Sequence, residues 1–229
     1  MSKRVRRHVN VAGIGIVVAL VVYLVLGKTP EVWQEVSFGT KAEDTHWKLS
    51  VASASAASVL LAATLTVGPI RVLRGGAPAV HLPIRRTLGV WTAVFASVHA
   101  VLGATIHTVG IKVWTPFTVG LDSSGALIFT VVVWLGLFSL VLLVGLAVIS
   151  RSVSMRRFGS KRWKALQRSS YAAAIAILGH MLLIQRHEQR LSRHIAIAVL
   201  PFVVVFVMQT AAFVRTRYTT PVTAATSGC

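Results

Sequence analysis

The chain has 229 residues, of which 55% are hydrophobic and 13% are charged, and its mean hydropathy is +0.72. This share of charged residues is too low to cover the surface of a water-soluble globule, so the composition excludes a soluble protein. The net charge of +18 does not indicate a nucleic-acid partner, because the basic residues lie in short clusters between long apolar runs. A single cysteine, Cys229, excludes an intrachain disulfide and a cysteine-ligated metal site.

Six stretches of the chain are apolar enough to cross a bilayer core about 30 Å thick, which takes about 20 helical residues. They cover roughly residues 10–27, 49–69, 87–110, 125–149, 169–185 and 194–214. Gly68-Pro69 is expected to end the second helix, and Gly159-Ser160 to interrupt the connection before the fifth. We therefore predict an all-α, polytopic membrane protein that forms a six-transmembrane-helix bundle. Its predicted parts are a basic tail over 1–9, the transmembrane domain over 10–217 and a polar tail over 218–229.

Basic residues are distributed unequally over the connections between the six predicted helices. The side that holds the N-terminus carries 17 lysines and arginines and no acidic residue. The opposite side carries seven basic residues and all six acidic ones, so it is nearly neutral. The positive-inside rule then predicts a multi-pass plasma-membrane protein with both termini in the cytoplasm. The basic clusters are also expected to contact anionic membrane lipid.

Two histidines lie inside predicted transmembrane helices, His99 in the third helix and His180 in the fifth. Ionisable side chains are costly inside a bilayer, so each of them indicates a functional site. His99 lies 13 residues beyond Arg86 and His180 lies 12 beyond Arg168. At 1.5 Å per residue, both imidazoles are about 18 to 20 Å from the basic side of the membrane. Two imidazoles at the same depth on two helices are what bis-histidine ligation of a buried haem requires.

Small residues near each histidine on the same predicted helix face would let a haem approach the backbone: Ala96, Gly103, Ala173 and Ala176. The alternative is that small residues only allow close helix packing, and that each histidine hydrogen-bonds to a neighbouring helix. The protein would then be a cofactor-free membrane scaffold or a transporter subunit. The matched depth of the pair favours the haem, with a haem core over about residues 85–190.

Other residues are candidates for contact with the cofactor or its partners. His107 and His187 are expected at the outer interface, where they are either a second pair of ligands or solvated side chains. Arg85, Arg86 and Arg168 are candidates for pairing with haem propionates, or for steering an acidic flavoprotein donor to the inner face.

Three blocks of the sequence carry a family resemblance. Arg85–Trp91, followed by Val98-His99, resembles an Arg-Arg-x-Leu-Gly opening of a third helix and its first haem histidine. Lys161–Tyr171 resembles a Trp-x-x-Leu-His-x-x-x-Tyr entry to a fifth helix, and Leu178-Gly179-His180 matches the histidine that follows it. Over about residues 40–190 the chain therefore resembles the ferric-reductase-like transmembrane family. Within it, the likeness is greatest to the haem-binding membrane subunit of the periplasmic methionine sulfoxide reductase system.

The resemblance implies transmembrane electron transfer through a b-type haem held by His99 and His180, as the membrane subunit of a reductase system. The chain departs from the family pattern at Gln167, which stands where the family has a further histidine. One haem is therefore expected, and a second, inner haem is in question. A stand-alone ferric reductase or a quinol-linked cytochrome is the alternative among redox proteins.

The expected partners follow from what the sequence lacks. It has no Gly-rich phosphate loop, no dinucleotide fingerprint and no connection long enough for a second domain, so no flavin or NAD site is expected in it. The electron donor would then be quinol or a cytoplasmic flavoprotein. The acceptor at the outer face would be a protein or ferric iron.

Overall fold

The computed structural model describes residues 2–27, 41–75, 82–108, 124–150, 152–187 and 192–219. Within these ranges the chain forms helices and no strand. The helices are α1 (Lys3–Gly27), α2 (Lys41–Leu73), α3 (Leu82–Thr108), α4 (Ser124–Ile149), α5 (Ser152–His187) and α6 (Ser192–Thr219). Each predicted apolar stretch coincides with one helix; residues 109 and 110 of the third stretch lie outside the described residues.

Five of these helices, all except α5, are long and apolar enough to span a membrane. Helix α5 is long, but the apolar part predicted to span the bilayer covers only residues 169–185. That part begins with two serines and contains His180 and Gln185, which lower its hydropathy. Over the described residues, five spans are therefore supported by length and composition, and the sixth stays a prediction.

Large apolar side chains lie on the outside of α1, α4 and α6. Examples are Val17, which is 58% exposed, Val141 at 69% and Phe206 at 71%. An apolar surface this extensive would be costly in water and is favourable in lipid. The described part of the chain is all-helical, and its apolar helices are those of a multi-pass membrane protein.

Helix α2 lies at the centre of the bundle and packs against α1, α3 and α6. Its side chains Leu60 and Leu65 are among the most deeply buried. Helix α4 packs mainly against α5 and also contacts α3. A shared core joins Leu65 to Ala93 of α3, Leu143 of α4 and Ala173 of α5. Phe202 and Val205 of α6 belong to the same core, so helices α2 to α6 enclose the interior of the bundle.

The prediction that Gly68-Pro69 ends the second helix is wrong, because α2 continues through Pro69 to Leu73. Proline has no N–H and cannot donate to the carbonyl four residues earlier, which here is that of Leu65. The side-chain amide of Gln209 on α6 donates to this carbonyl at 3.1 Å, and its nitrogen also lies 2.9 Å from the Tyr171 hydroxyl. A neighbouring helix thereby satisfies the carbonyl that proline leaves without a partner.

Helix α5 is interrupted at Gly159, which has φ 75° and ψ 158°. A positive φ is favourable for glycine and strained for residues with a β-carbon. The sequence predicted an interruption at Gly159-Ser160, and the structure confirms it. The interruption divides α5 into a short first part and a longer part that carries His180.

The first turns of α1, α3 and α5 lie at the same end of the bundle as the last turns of α2, α4 and α6. Arg7, Arg71 and Ile84 line one cleft there, between α1, α2 and α3. The Arg215 side chain of α6 donates to the Leu73 carbonyl at the end of α2. Trp163 Nε1 of α5 donates to the Ile149 carbonyl of α4 at 3.3 Å. We call this the basic end of the bundle.

Candidate functional site

The two histidines predicted to work as a pair lie side by side in the interior of the bundle. The ring centroids of His99 and His180 are 6.2 Å apart, and the ring planes are inclined at 79°. His99 is contributed by α3 and His180 by α5, and both are half-buried. The equal depth predicted from their distances to the basic residues is thus confirmed.

His99 is oriented by Ser50 of α2. The His99 Nδ1 atom lies 2.9 Å from the Ser50 backbone carbonyl oxygen and 3.0 Å from its hydroxyl oxygen. Ser50 is 4% exposed, so these contacts are shielded from the surroundings. A side chain with two anchoring contacts on a neighbouring helix has a fixed ring direction.

His180 is oriented by α4 in a corresponding way. Its Nδ1 atom lies 2.7 Å from the backbone carbonyl oxygen of Val132. One turn further along α4, Gly136 leaves room for the ring: a β-carbon there would stand 3.0 Å from both Cε1 and Nδ1 of His180. Such contacts are tighter than side chains normally make, so the glycine lets the imidazole approach the α4 backbone.

These contacts assign the tautomer of both rings. A carbonyl oxygen can only accept a hydrogen bond, so Nδ1 of His99 and of His180 is the protonated nitrogen. In a neutral imidazole the lone pair then lies on Nε2. Donation of the remote N–H to a backbone carbonyl is the arrangement that metal-ligating histidines generally have. Both histidines therefore have the tautomer that an Nε2-ligated metal requires.

The pair lies away from the basic end. His99 and His180 are each about two turns from the C-terminus of their helix, and Ser50 and Val132 are about two turns from the N-terminus of theirs. Four helices, α2 to α5, therefore meet at one depth around the two rings.

The small residues predicted near the histidines lie in the packed interior. Ala173 is fully buried, Ala176 is 7% exposed and Ala96 packs against the core cluster. A β-carbon at Gly103 would lie 3.7 Å from the Ser50 hydroxyl, which is ordinary van der Waals contact. Close packing at these positions is confirmed, and their contact with a cofactor stays a prediction.

The other predicted residues are not brought to the histidine pair by any described contact. His107 and His187 lie in the last turns of α3 and α5, and their side chains lie outside what the structure describes. Arg85 and Arg86 are half-buried in the first turns of α3, and Arg168 is exposed on α5. Along their helices these arginines are about 18 to 21 Å from His99 and His180.

Gln167, which stands at a histidine position of the family pattern, connects two helices. It is half-buried, and its Nε2 atom donates to the hydroxyl of Ser150 at 3.4 Å. This contact joins α5, about two turns beyond Gly159, to the residue that follows α4. Gln167 therefore has a packing role that does not need a metal.

Sequence reasoning missed Ser50 and Gly136, although both leave a signal. Ser50 lies at the boundary between the polar start of α2 and its apolar run, and Gly136 is an isolated glycine within the apolar α4. An isolated glycine in a membrane helix often marks a close approach of another group. Which group approaches depends on which helices are neighbours, and hydropathy does not give that.

Among the described residues, no group of three or more His, Cys, Asp or Glu side chains could hold a metal ion. A metal bound by protein side chains alone is therefore not supported in that part of the chain.

No protein-family model matches the chain, and no solved structure matches it. The resemblance to the ferric-reductase-like family therefore stays a prediction from the sequence blocks around His99 and His180.

Proposed function

We propose that the protein carries electrons across a membrane through one b-type haem held by His99 and His180. The observation that carries this proposal is the pair of imidazoles 6.2 Å apart, each with Nδ1 bonded to a backbone carbonyl of a neighbouring helix. The proposal assigns the haem to the interior between α2, α3, α4 and α5.

The residues present fit such a group. His99 and His180 supply two imidazoles whose ring centroids are 6.2 Å apart, each with Nδ1 held by a backbone carbonyl. This pair of nitrogen donors would hold the iron of a haem. Gly136 supports the fit further, because a β-carbon there would displace the His180 ring.

The roles of the protein side chains follow from the contacts. In this proposal His99 and His180 would bind the iron through Nε2, and the carbonyls of Ser50 and Val132, which hold the rings, would make them more basic. Burial between the helices would tune the potential of a redox centre held there. When bound, the haem would supply reversible one-electron oxidation and reduction at its iron.

We assign the protein to the plasma membrane with both termini in the cytoplasm. The 17 lysines and arginines on the side of the N-terminus support this orientation. The exposed Arg168 and the half-buried Arg85 and Arg86 would then lie at the cytoplasmic side, where positive charge favours the approach of an acidic flavoprotein. As in the sequence interpretation, the chain would act as the membrane subunit of a reductase system, with an outer-face protein or ferric iron as acceptor.

The second candidate function is a cofactor-free scaffold or transporter subunit. It is favoured by the same contacts, because His99 joins α3 to α2 and His180 joins α5 to α4. In that case the histidines would only stabilise the bundle. Haem content and electron transfer separate the two functions.

The proposal is tested by electron transfer in vesicles. The purified protein is reconstituted in liposomes that enclose ferricyanide, with an ionophore to cancel the charge moved. NADH, flavin and a flavin reductase are added outside. We expect enclosed ferricyanide to be reduced in vesicles that contain the wild-type protein. Vesicles with His99→Ala and vesicles without protein should show only leakage.

If wild-type and His99→Ala vesicles reduce ferricyanide at the same rate, the histidine pair does not carry the electrons. That result would contradict the proposed function and favour the scaffold or transporter.

A further inference from the structure

A cleft of about 480 Å³ lies at the basic end of the bundle, between α1, α2 and α3. Its volume falls within the range of ligand-binding clefts, about 300 to 1,000 Å³. Three arginines line it, one from the second turn of α1 and two from the end of α2: Arg7, Arg71 and Arg74. The cleft lies far from the histidine pair and has no part in the proposed electron transfer.

The positive charge of this cleft is not neutralised by the protein around it. Arg7, Arg71 and Arg74 form no ion pair with any residue that the structure describes. The sequence has no acidic residue before Glu31 and none between Asp44 and Asp122. The helices that form the cleft therefore bring no carboxylate to this end, and its positive charge is available to an anionic ligand.

A further arginine adds to this excess of positive charge. Arg85 follows the cleft residue Ile84 in the first turns of α3. Its Nε atom is buried and has no hydrogen-bond partner among the described residues. A buried guanidinium nitrogen without a partner is unfavourable unless an acceptor reaches it. An anion bound nearby would reduce that cost.

The rest of the cleft wall is apolar. Val67 and Ile70 of α2 and Ile84 of α3 line it, and Ile70 and Ile84 are 36% and 41% exposed. Arginines beside exposed aliphatic side chains at a helix end match an amphiphile, with an anionic group and a hydrocarbon chain. Inorganic phosphate would use only the guanidinium groups and would leave the apolar wall uncovered.

We propose that this cleft is a binding site for one anionic phospholipid. Its phosphate would lie among the guanidinium groups of Arg7, Arg71 and Arg74, which bind phosphate by paired N–H donors. Its acyl chains would lie along Val67 and Ile70. The site distinguishes an anionic lipid from a zwitterionic one by net charge, and a lipid from free phosphate by the apolar wall.

The test is lipid binding to the purified, delipidated full chain in uncharged detergent, measured by native mass spectrometry. The probes are phosphatidylglycerol, phosphatidylcholine and inorganic phosphate. We expect one phosphatidylglycerol to bind in preference to phosphatidylcholine, and inorganic phosphate not to displace it. Arg71→Gln and Arg74→Gln should each weaken phosphatidylglycerol binding roughly fivefold.

The matched control is Arg162→Gln, which removes one exposed positive charge near the start of α5 and leaves the cleft intact. We expect it to bind phosphatidylglycerol like the wild type. Arg74 is exposed, so Arg74→Gln keeps the test valid if Arg71→Gln does not fold.

Three results would overturn the proposal. Equal binding of phosphatidylglycerol and phosphatidylcholine would show that the cleft has no preference for an anionic lipid. If Arg162→Gln weakens lipid binding as much as Arg74→Gln does, the binding depends on the overall charge of the protein and not on this cleft. Displacement of the lipid by inorganic phosphate at a similar concentration would mean that the cleft binds a free anion and that no lipid site exists there.

Discussion

The ring of His180 lies against the backbone of Gly136, where a β-carbon would come within 3.0 Å of Cε1 and Nδ1. The absence of a side chain at Gly136 therefore leaves room for this imidazole beside α4. The same ring is bonded to the Val132 carbonyl of that helix at 2.7 Å. The histidine pair thus depends on the packing of α4 against α5.

Gly136→Ala should displace the His180 ring and weaken its bond to the Val132 carbonyl. We expect the purified variant to retain less than half of the haem of the wild type, measured from the reduced absorption spectrum. Gly145→Ala on the same helix is the control, because a β-carbon there has no neighbour within 4 Å. Equal haem content in the two variants would mean that the close contact between Gly136 and the His180 ring is not needed for haem binding.

Ser50→Ala removes the hydroxyl that lies 3.0 Å from His99 Nδ1 and leaves the backbone carbonyl at 2.9 Å. Removing every hydrogen-bond partner of a metal-ligating histidine typically lowers metal affinity by at least about tenfold. Since one of the two contacts of His99 remains in Ser50→Ala, we expect haem affinity to fall by less than that. Ser55→Ala is the control, because its hydroxyl bonds only to the Val51 carbonyl of its own helix. A loss of affinity as large in Ser55→Ala would contradict the assigned role of Ser50.

Gln209→Leu should leave the Leu65 carbonyl without a partner, because Pro69 has no N–H to offer. The expected loss in free energy of unfolding is about 1 to 3 kcal/mol. Pro69→Ala supplies the missing N–H, so the double variant Pro69→Ala/Gln209→Leu should recover most of that loss. The free energy of unfolding in detergent is measured for the wild type, the two single variants and the double variant. If the two substitutions change the free energy of unfolding additively, Gln209 does not replace the N–H that Pro69 lacks. Tyr171→Phe is measured separately, because the Gln209 side chain also contacts the Tyr171 hydroxyl.

Gln167→His introduces the histidine of the family pattern, but no second haem should bind. The position on α3 that matches it in depth, 13 residues before His99, is held by Arg86. We expect one haem per chain in the wild type and in the variant, measured as the ratio of haem to protein. Two haems per chain in Gln167→His would mean that another side chain completes an inner site.

The helices could be predicted from the sequence because the thickness of the bilayer sets the length of an apolar run. The relative depth of His99 and His180 could be predicted because the rise per helical residue is constant. The supporting partners were not predictable. Ser50 and Gly136 become part of the site only when α2 lies beside α3 and α4 beside α5. Hydropathy identifies a segment as apolar, but it does not show which other segment packs against it.

The continuation of α2 through Pro69 shows the same limit in the backbone. Gly68-Pro69 is a local signal that ends helices in water, where an unpaired carbonyl can bind solvent. Within the bundle, the Leu65 carbonyl finds the side chain of Gln209, which is 144 positions away in sequence. A local pattern cannot include a hydrogen bond from a distant helix, so the sequence predicts the end of α2 too early.

The central claim is that His99 and His180 together hold one haem. The most direct measurement is the visible spectrum of the detergent-purified protein from haem-replete cells, oxidised and dithionite-reduced. It should be taken for the wild type, His99→Ala, His180→Ala and the control variants His107→Ala and His187→Ala. We expect sharp reduced α and Soret bands in the wild type and both controls, and their loss in each of the first two variants. A colourless wild-type protein, or bands that persist without His99 and His180, would contradict the claim.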